Sequence, residues 1–472
     1  LRVTGVQTCA LPIYLMKKTF LSALLLATAL TTGGAKAETI FEALSTAYDT
    51  NPTLQAQRAY LRSVDENVAI AKSGFRPNIY LTGGYSDSDV HNNNVPSQTG
   101  GATLSAGAKI SQPVFSGFTT VNSVKSADSM VRAEQNNLYN TEQGVFLDSS
   151  TAYLDVVRDE AIVNLQKNNE KLLKKRLDET VERFNVGEVT RTDVSQAQAR
   201  YSQAKADRIA SEGNLQASKA VYTRVIGEAP KDLSEPENLG DFIPASFQEA
   251  LEYTKANNYS IRYARELLNS KVYDVAANTG ALLPSVTLDG SATTSKSDSS
   301  GSAYGAYNRD TKVDEVQWGV NMNIPLYTAG ETRAKIRQSK YQKWQAQELV
   351  LEAERQAVSD VTSAWELMTS NKAQIKSIKD QVKANEIALD GVQKEEALGN
   401  RTILDVLDAY QELLNSNVNE VKARRDYYVA AMQLLLSMGK LTAEDLRLNV
   451  DLYNPKKFYK ETRDKWLSLS VD

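Results

Sequence analysis

Asp405 and Asp408 lie three residues apart in the stretch EEALGNRTILDVLDAYQ, residues 395–411. On a helix this spacing places both carboxylates on one face, one turn apart. Close like charges raise one another's pKa and attract cations. Asp405 also has a purely structural role open to it. Thr402-x-x-Asp405 has the form of a capping box, and a first-turn carboxylate is favourable near a helix N-terminus. Asp408 lies beyond the reach of that cap, so its charge asks for another explanation.

Little else in the chain could do chemistry. Cys9 and His91 are the only cysteine and histidine. His91 sits in the polar run HNNNVPS, which reads as a loop. Most nucleophilic and zinc mechanisms therefore lack their parts, and neither a P-loop nor a dinucleotide fingerprint is present. These features argue against an enzyme and against a metal or cofactor. The net charge of −4 comes without a basic block, so nucleic acid has no electrostatic footprint.

The elements that position the aspartates are written twice. RFNVGEVTRTDVSQAQA, residues 183–199, aligns with residues 395–411 at an offset of 212: Gly187 meets Gly399 and Asp193 meets Asp405. The same offset pairs Gln112-Pro113-Val114-Phe115 with Ile324-Pro325-Leu326-Tyr327, and Gly227 with Gly439. An offset of 207 pairs Asn51 with Asn258 and Pro77 with Pro284. So long a period means duplicated architecture rather than a short solenoid repeat. Each half reads as helix, strand, strand, long helix, tight turn, helix.

Val316, Trp318, Val320, Met322 and Ile324 alternate with polar or small residues, as do Ile79, Leu81 and Tyr85, and Leu104 to Ile110. That period of two predicts strands, with polar loops at about 86–102 and 291–313. Four strands are too few for a membrane barrel, which needs about eight. They form either a small sheet or one chain's share of a pooled barrel. Runs without proline, Gly117 to about Phe184 and Glu331 to about Leu398, predict helices on the order of 100 Å long. Apolar residues every seven positions, such as Val131, Leu138 and Val145, or Val361 and Met368, give a coiled-coil seam. Gly187 and Gly399 fall at the helix ends, where φ > 0 is favoured. Both turns then lie at one end of the molecule, far from the strands.

The front end reads as export machinery. Met16-Lys17-Lys18, the apolar FLSALLLATAL and Ala35-Lys36-Ala37 have signal-peptide order. We expect 1–15 to be a non-native leader and 16–37 the signal peptide. The first repeat is then 38–245, the second 246–441, and a polar tail 442–472.

The motifs RFNVGEVTRTDV, GNRTILDVLDA, AYDTNPTLQAQ and QPVFSG resemble those of the TolC family of outer-membrane efflux and secretion channels, from about Glu38 to about Leu441. The resemblance implies a mainly α fold with β. Four strands per chain join a trimeric, twelve-stranded barrel in the outer membrane of a Gram-negative bacterium, continuing into a periplasmic coiled-coil α-barrel. It implies a passive exit duct, gated at its tip, serving a tripartite efflux pump or a type I secretion system. The partners are a periplasmic adaptor and an inner-membrane pump of the RND or ABC type. Asp405 and Asp408 match the acidic rings of the tip constriction. Arg401 matches a basic latch residue, and Thr192 and Asp193 its partners. Glu396 stands where a tyrosine is usual, so either a Glu396–Arg401 pair replaces that part of the latch or the closed state is held differently. The competing reading is a periplasmic coiled-coil scaffold or adaptor, which leaves the four strands unexplained.

Overall fold

The computed structural model describes residues 37–90, 99–236, 239–301 and 309–467. His91, Cys9 and residues 1–36 lie outside them. The first half runs α1 (Ile40–Thr50), α2 (Pro52–Ser73), β1 (Asn78–Val90), β2 (Thr99–Ser116), α3 (Thr119–Asn185) and α4 (Arg191–Ile226). The second runs α5 (Phe247–Asn257), α6 (Tyr259–Gly280), β3 (Ser285–Gly301), β4 (Arg309–Asn323), α7 (Glu331–Ala397) and α8 (Ile403–Met438). A last helix, α9, covers Pro455–Thr462.

The duplication is metrical: α3 and α7 are each 67 residues, and α4 and α8 each 36. At about 1.5 Å per residue the long helices reach about 100 Å. One expectation needs correction. The helix before each strand pair is two helices, because Asn51 and Asn258 are N-caps that interrupt the chain. Asn51 accepts from the Thr53 and Leu54 amides, and its Nδ2 donates to the Val225 carbonyl at 2.8 Å. Asn258 repeats this with Ser260, Ile261 and the Ser437 carbonyl, also at 2.8 Å. Each cap thus satisfies an orphan carbonyl at the end of the helix stacked against it. The end of α4 meets the start of α2, and α8 meets α6.

The main core sits at this junction. Ile40, Leu44, Leu54, Phe146, Tyr222 and Met432 are among its buried members. The heptad positions Val131, Leu138, Val145, Ala152, Val361 and Met368 are all buried. Phe184 is 41% exposed, because it has reached the end of α3.

The sheet order is β1-β2-β3-β4, antiparallel throughout. Its register sorts the side chains by face. One face carries Ile79, Leu81 and Tyr85, paired with Ile110, Ala108 and Leu104. On β4 the same face carries Met322, Val320, Trp318 and Val316. These residues are exposed; Trp318 is 81% so. The opposite face carries Thr82, Ser105, Ser291, Thr293, Gln317 and Asn321. From Met322 to Val316 the apolar band is about 20 Å tall at roughly 3.3 Å per residue. Beyond it on β3 and β4 the same face turns charged, at Asp314, Lys312 and Lys296, while Leu104 and Tyr85 keep it apolar on β2 and β1.

The strands also run further than the sequence suggested. Residues 86–90, 99–102, 291–301 and 309–313, read as loop, belong to the ladder. Backbone pairing does not require an apolar face, and above the apolar band Ser, Thr, Asp and Gly can line both sides. The segments 91–98 and 302–308 lie outside the described residues. Among the described residues no helix is long and apolar enough to cross a membrane.

The segment after α8 is less polar in its packing than in its composition. Leu441, Ala443, Leu446 and Leu448 are buried in the main core. From Tyr453 the chain then runs alongside α2.

Candidate functional site at the helical tip

The long helices end in matched turns. Gly187 has φ 82° and Gly399 φ 80°. The Glu188 amide reaches back to the Arg183 carbonyl, and the Asn400 amide to Glu395, both at 2.9 Å. This left-handed closure satisfies the last carbonyls of each helix. The return helices open with full capping boxes. Thr190 N–H donates to Asp193 at 2.8 Å, and Thr402 N–H to Asp405 at 2.9 Å. The aspartate amides in turn donate to the threonine hydroxyls, each at 3.2 Å.

Asp405 is therefore a cap and more. The Thr402 N–H and hydroxyl, with Arg401 nearby, hold its carboxyl below the usual carboxylate range. It stays charged at neutral pH. Asp408 lies one turn on and is half-exposed, and the Arg200 Nη2 of α4 reaches it at 2.5 Å. The two carboxylates of this face are thus unequal: one is fixed by a backbone cap, the other faces a guanidinium.

The remaining sequence candidates do not form one cluster within a chain. Arg401 pairs with Glu395 at 2.9 Å across the turn. Glu396, only 11% exposed, takes Arg183 of α3 at 2.6 Å. The anticipated Glu396–Arg401 pair is absent within the chain, because Glu396 turns to Arg183 beside Ile403 and Leu407 of α8, while Arg401 takes the more exposed Glu395. Arg183 also reaches Glu188 at 3.2 Å, so one guanidinium ties both turns together. Thr192 is exposed on the first turn of α4. Among the described residues of one chain, neither Thr192 nor Asp193 contacts Arg401.

Arg183 and Arg200 are the residues that sequence reasoning missed. Arg183 is offset from Glu396 by 213 positions, not 212, so the repeat does not mark the pair. Arg200 lies two turns along α4, and only the packing of α4 on α8 turns it to Asp408. Behind the ion pairs, Leu173, Ala204 and Leu407 form a small apolar cluster that fixes the helices. A concavity of about 610 Å³ lies at mid-helix among residues such as Val157, Arg158, Ile375 and Tyr428. It shares no residue with the tip. No cluster of potential metal ligands occurs among the described residues.

A sheet apolar on one face and polar on the other, joined to long, largely polar helices, has the character of a β-barrel wall segment with a helical extension. Comparison with known proteins narrows that class. The family model described as outer membrane efflux protein matches residues 43–228 and 250–440. The chain is 37% identical over 450 residues to the outer membrane efflux protein BepC of Brucella suis biovar 1 (strain 1330), covering 94% of this chain and 95% of that one. It is 28% identical over 427 residues to the outer membrane protein TolC of Vibrio cholerae serotype O1, covering 89% and 95%. In fold it is similar to the Campylobacter jejuni CmeC outer membrane channel, with TM-score 0.76, 16% identity, and 90% and 89% of the two chains covered. The chain belongs to the outer membrane efflux protein family. It is an outer-membrane channel of the efflux and type I secretion class, spanning the outer membrane and the periplasm. The family is one of transport proteins, and its TolC-type channels are trimeric and work with adaptor and inner-membrane pump partners.

Proposed function

We propose that three copies of this chain close a twelve-stranded barrel and form a passive duct that opens at the α3–α4 and α7–α8 turns. The observation that carries this reading is the sheet. One face is apolar and the other polar, and among the described residues of one chain β1 and β4 each have an unpaired edge. Unpaired edges do not survive in a hydrocarbon layer, so the wall closes through neighbours.

At the other end, Asp405 and Asp408 of each chain form the constriction, and six carboxylates around one axis select cations. Arg401, Thr192, Asp193 and Glu396, with Gly187 and Gly399 setting the turns, form the latch. In that role Arg401 leaves Glu395 for a neighbour's α4. The duct catalyses no reaction and needs no cofactor or metal. A periplasmic adaptor and an RND or ABC pump supply the energy and prefer the open tip. We read 1–15 as foreign to the protein, 16–37 as its signal peptide, 38–245 and 246–441 as its two repeats, and 442–472 as its tail.

Single-channel conductance in a planar bilayer tests this, with wild type beside Asp405→Ala/Asp408→Ala. Small cation-selective openings that trivalent cations block in wild type, and not in the variant, are expected. Folded trimers without conductance overturn the duct. Unchanged block in the variant returns Asp405 to capping alone and Asp408 to its ion pair with Arg200.

A further inference from the structure

The segment after Tyr453 has no counterpart in the first half of the chain, and the duct does not explain it. It forms a strap parallel to α2. Tyr453 N–H donates to the Tyr48 hydroxyl at 2.9 Å, and Arg58 stacks 4.3 Å from the Tyr48 ring and 5.2 Å from Tyr453. Midway, the Tyr459 hydroxyl donates to Asp128 at 2.6 Å. At the far end Lys72 pairs with Asp464 at 2.5 Å, and Arg76 donates to the Lys465 carbonyl at 2.8 Å. The Arg76 guanidinium also lies 4.6 Å over the Trp466 ring.

Arg76 marks the base of the barrel. It stands two residues before β1, and the Phe75 carbonyl accepts from Gln112 of β2 at 2.9 Å. Ile79, the first member of the apolar band, is three residues on, about 10 Å of extended chain. The strap therefore carries Trp466, 65% exposed, and Leu467, 95% exposed, from the core to the edge of the membrane face. Its composition suits that place. Residues 455–467 hold Lys456, Lys457, Lys460, Arg463 and Lys465 against Glu461 and Asp464. A basic segment ending in Trp and Leu matches an anionic headgroup layer above hydrocarbon.

We propose that Trp466 and Leu467 insert at the headgroup level of the periplasm-facing phospholipid leaflet, with Lys465 and Arg76 on its phosphates. The strap then ties the mid-helix core to the membrane surface, independently of the barrel wall. This rests on the barrel reading, since the location of the leaflet comes from the apolar band.

The chain holds four tryptophans, Trp318, Trp344, Trp365 and Trp466, which permits a direct test. Single-tryptophan variants, with the other three changed to Phe, are reconstituted in phosphatidylethanolamine–phosphatidylglycerol vesicles with and without brominated acyl chains. Trp318 reports the barrel wall. Trp365, packed against Phe247, reports the helical core. The expected result is bromine quenching of Trp318 and Trp466 but not of Trp365, with Trp466 emission shifted blue relative to a water-exposed indole. A blue shift of Trp466 without bromine quenching means that a neighbouring chain covers it, and overturns the proposal. Red emission quenched by aqueous iodide overturns it as well. If Trp318 itself escapes bromine, the barrel reading fails and the proposal falls with it. Should the triple-Phe background fold poorly, a nitroxide on Trp466→Cys in a Cys9→Ser chain replaces it. Greater collision with oxygen than with a water-soluble nickel complex supports insertion, and the reverse refutes it.

Discussion

Replacing Arg200 by Gln should make the tip a stronger trap for cations. In a trimer three Arg200 guanidiniums stand beside three Asp408 carboxylates, each pair at 2.5 Å. Both partners are substantially exposed, so the pair adds under about 1 kcal/mol to stability and its loss leaves the fold intact. The effect on the pore is larger, because the uncovered charges act together. Take about 10 Å, one helix diameter, between each Asp408 and a cation on the axis. In water a trivalent cation then gains about 1.2 kcal/mol from each carboxylate, reduced to about 0.5 by screening at 0.1 M salt. Three carboxylates give about 1.4 kcal/mol, which is about tenfold tighter block. The assay is titration of single-channel current with a trivalent cation such as hexamminecobalt. Arg200→Gln should lower the blocking concentration about tenfold, and Arg200→Lys should leave it near wild type. Asp408→Asn should weaken block less than Asp405→Asn, since Asp408 begins half-compensated. Equal block in wild type and Arg200→Gln would refute the argument that Arg200 offsets the Asp408 charge at the constriction.

Three further outcomes follow from the helical body. Burial pushes the Glu142 carboxyl up to about 7, against the Ala443 N–H bond that favours its charge and with Arg58, Asp445 and Glu444 around it. An acid raised in the fold loses its proton first in the unfolded chain, so its contribution falls as pH rises from about 4.5 to 7. Glu142→Gln should therefore match wild type near pH 4.5 and exceed it by about 3 kcal/mol at pH 8. Thermal unfolding across that range reads the difference, and parallel pH profiles would rule it out. Asn258→Ala removes a cap and strands the Ser437 carbonyl, costing about 2–3 kcal/mol. Asn51→Ala should cost the same, and unequal denaturation midpoints would show that the two junctions are not equivalent. A Cβ on Gly117 would lie 2.2 Å from the Gly280 carbonyl oxygen, whereas one on Gly187 meets nothing within 4 Å. Gly117→Ala should abolish folded trimer on size exclusion. Gly187→Ala should only shift melting, by the backbone cost of about 1–2 kcal/mol.

The features legible in sequence are those with strong local causes. Matched glycines and capping boxes announced both turns, and proline-free heptads announced both long helices. The apolar faces of Ile79–Tyr85 and Val316–Ile324 announced the strands. What stayed hidden depends on neighbours distant in the chain. Strand continuation through Ser297 or Thr103 rests on partner backbones, not on hydropathy. The breaks at Asn51 and Asn258 were visible as a repeat, but their reason is a carbonyl some 175 residues away. At the tip, sequence could name Glu396 and Asp408. It could not say that Arg183 and Arg200 face them, because rotation about the helix axis is set by the α3–α8 and α4–α8 contacts. The strap was legible only as a polar tail, since its binding residues lie on α1, α2 and α3.

The two free sheet edges also bear on how the molecule comes into being. A lone chain offers two long rows of open donors and acceptors, β1 on one side and β4 on the other, and each can template a stranger. Membrane insertion of one chain by itself would strand those groups in hydrocarbon. Insertion and trimerisation must therefore be a single event, and the yield of mature protein should depend on chain concentration. Below the concentration at which three chains meet, the competing product is a mispaired aggregate. The same edges that close the wall make timing, and not stability alone, the quantity that biogenesis has to control.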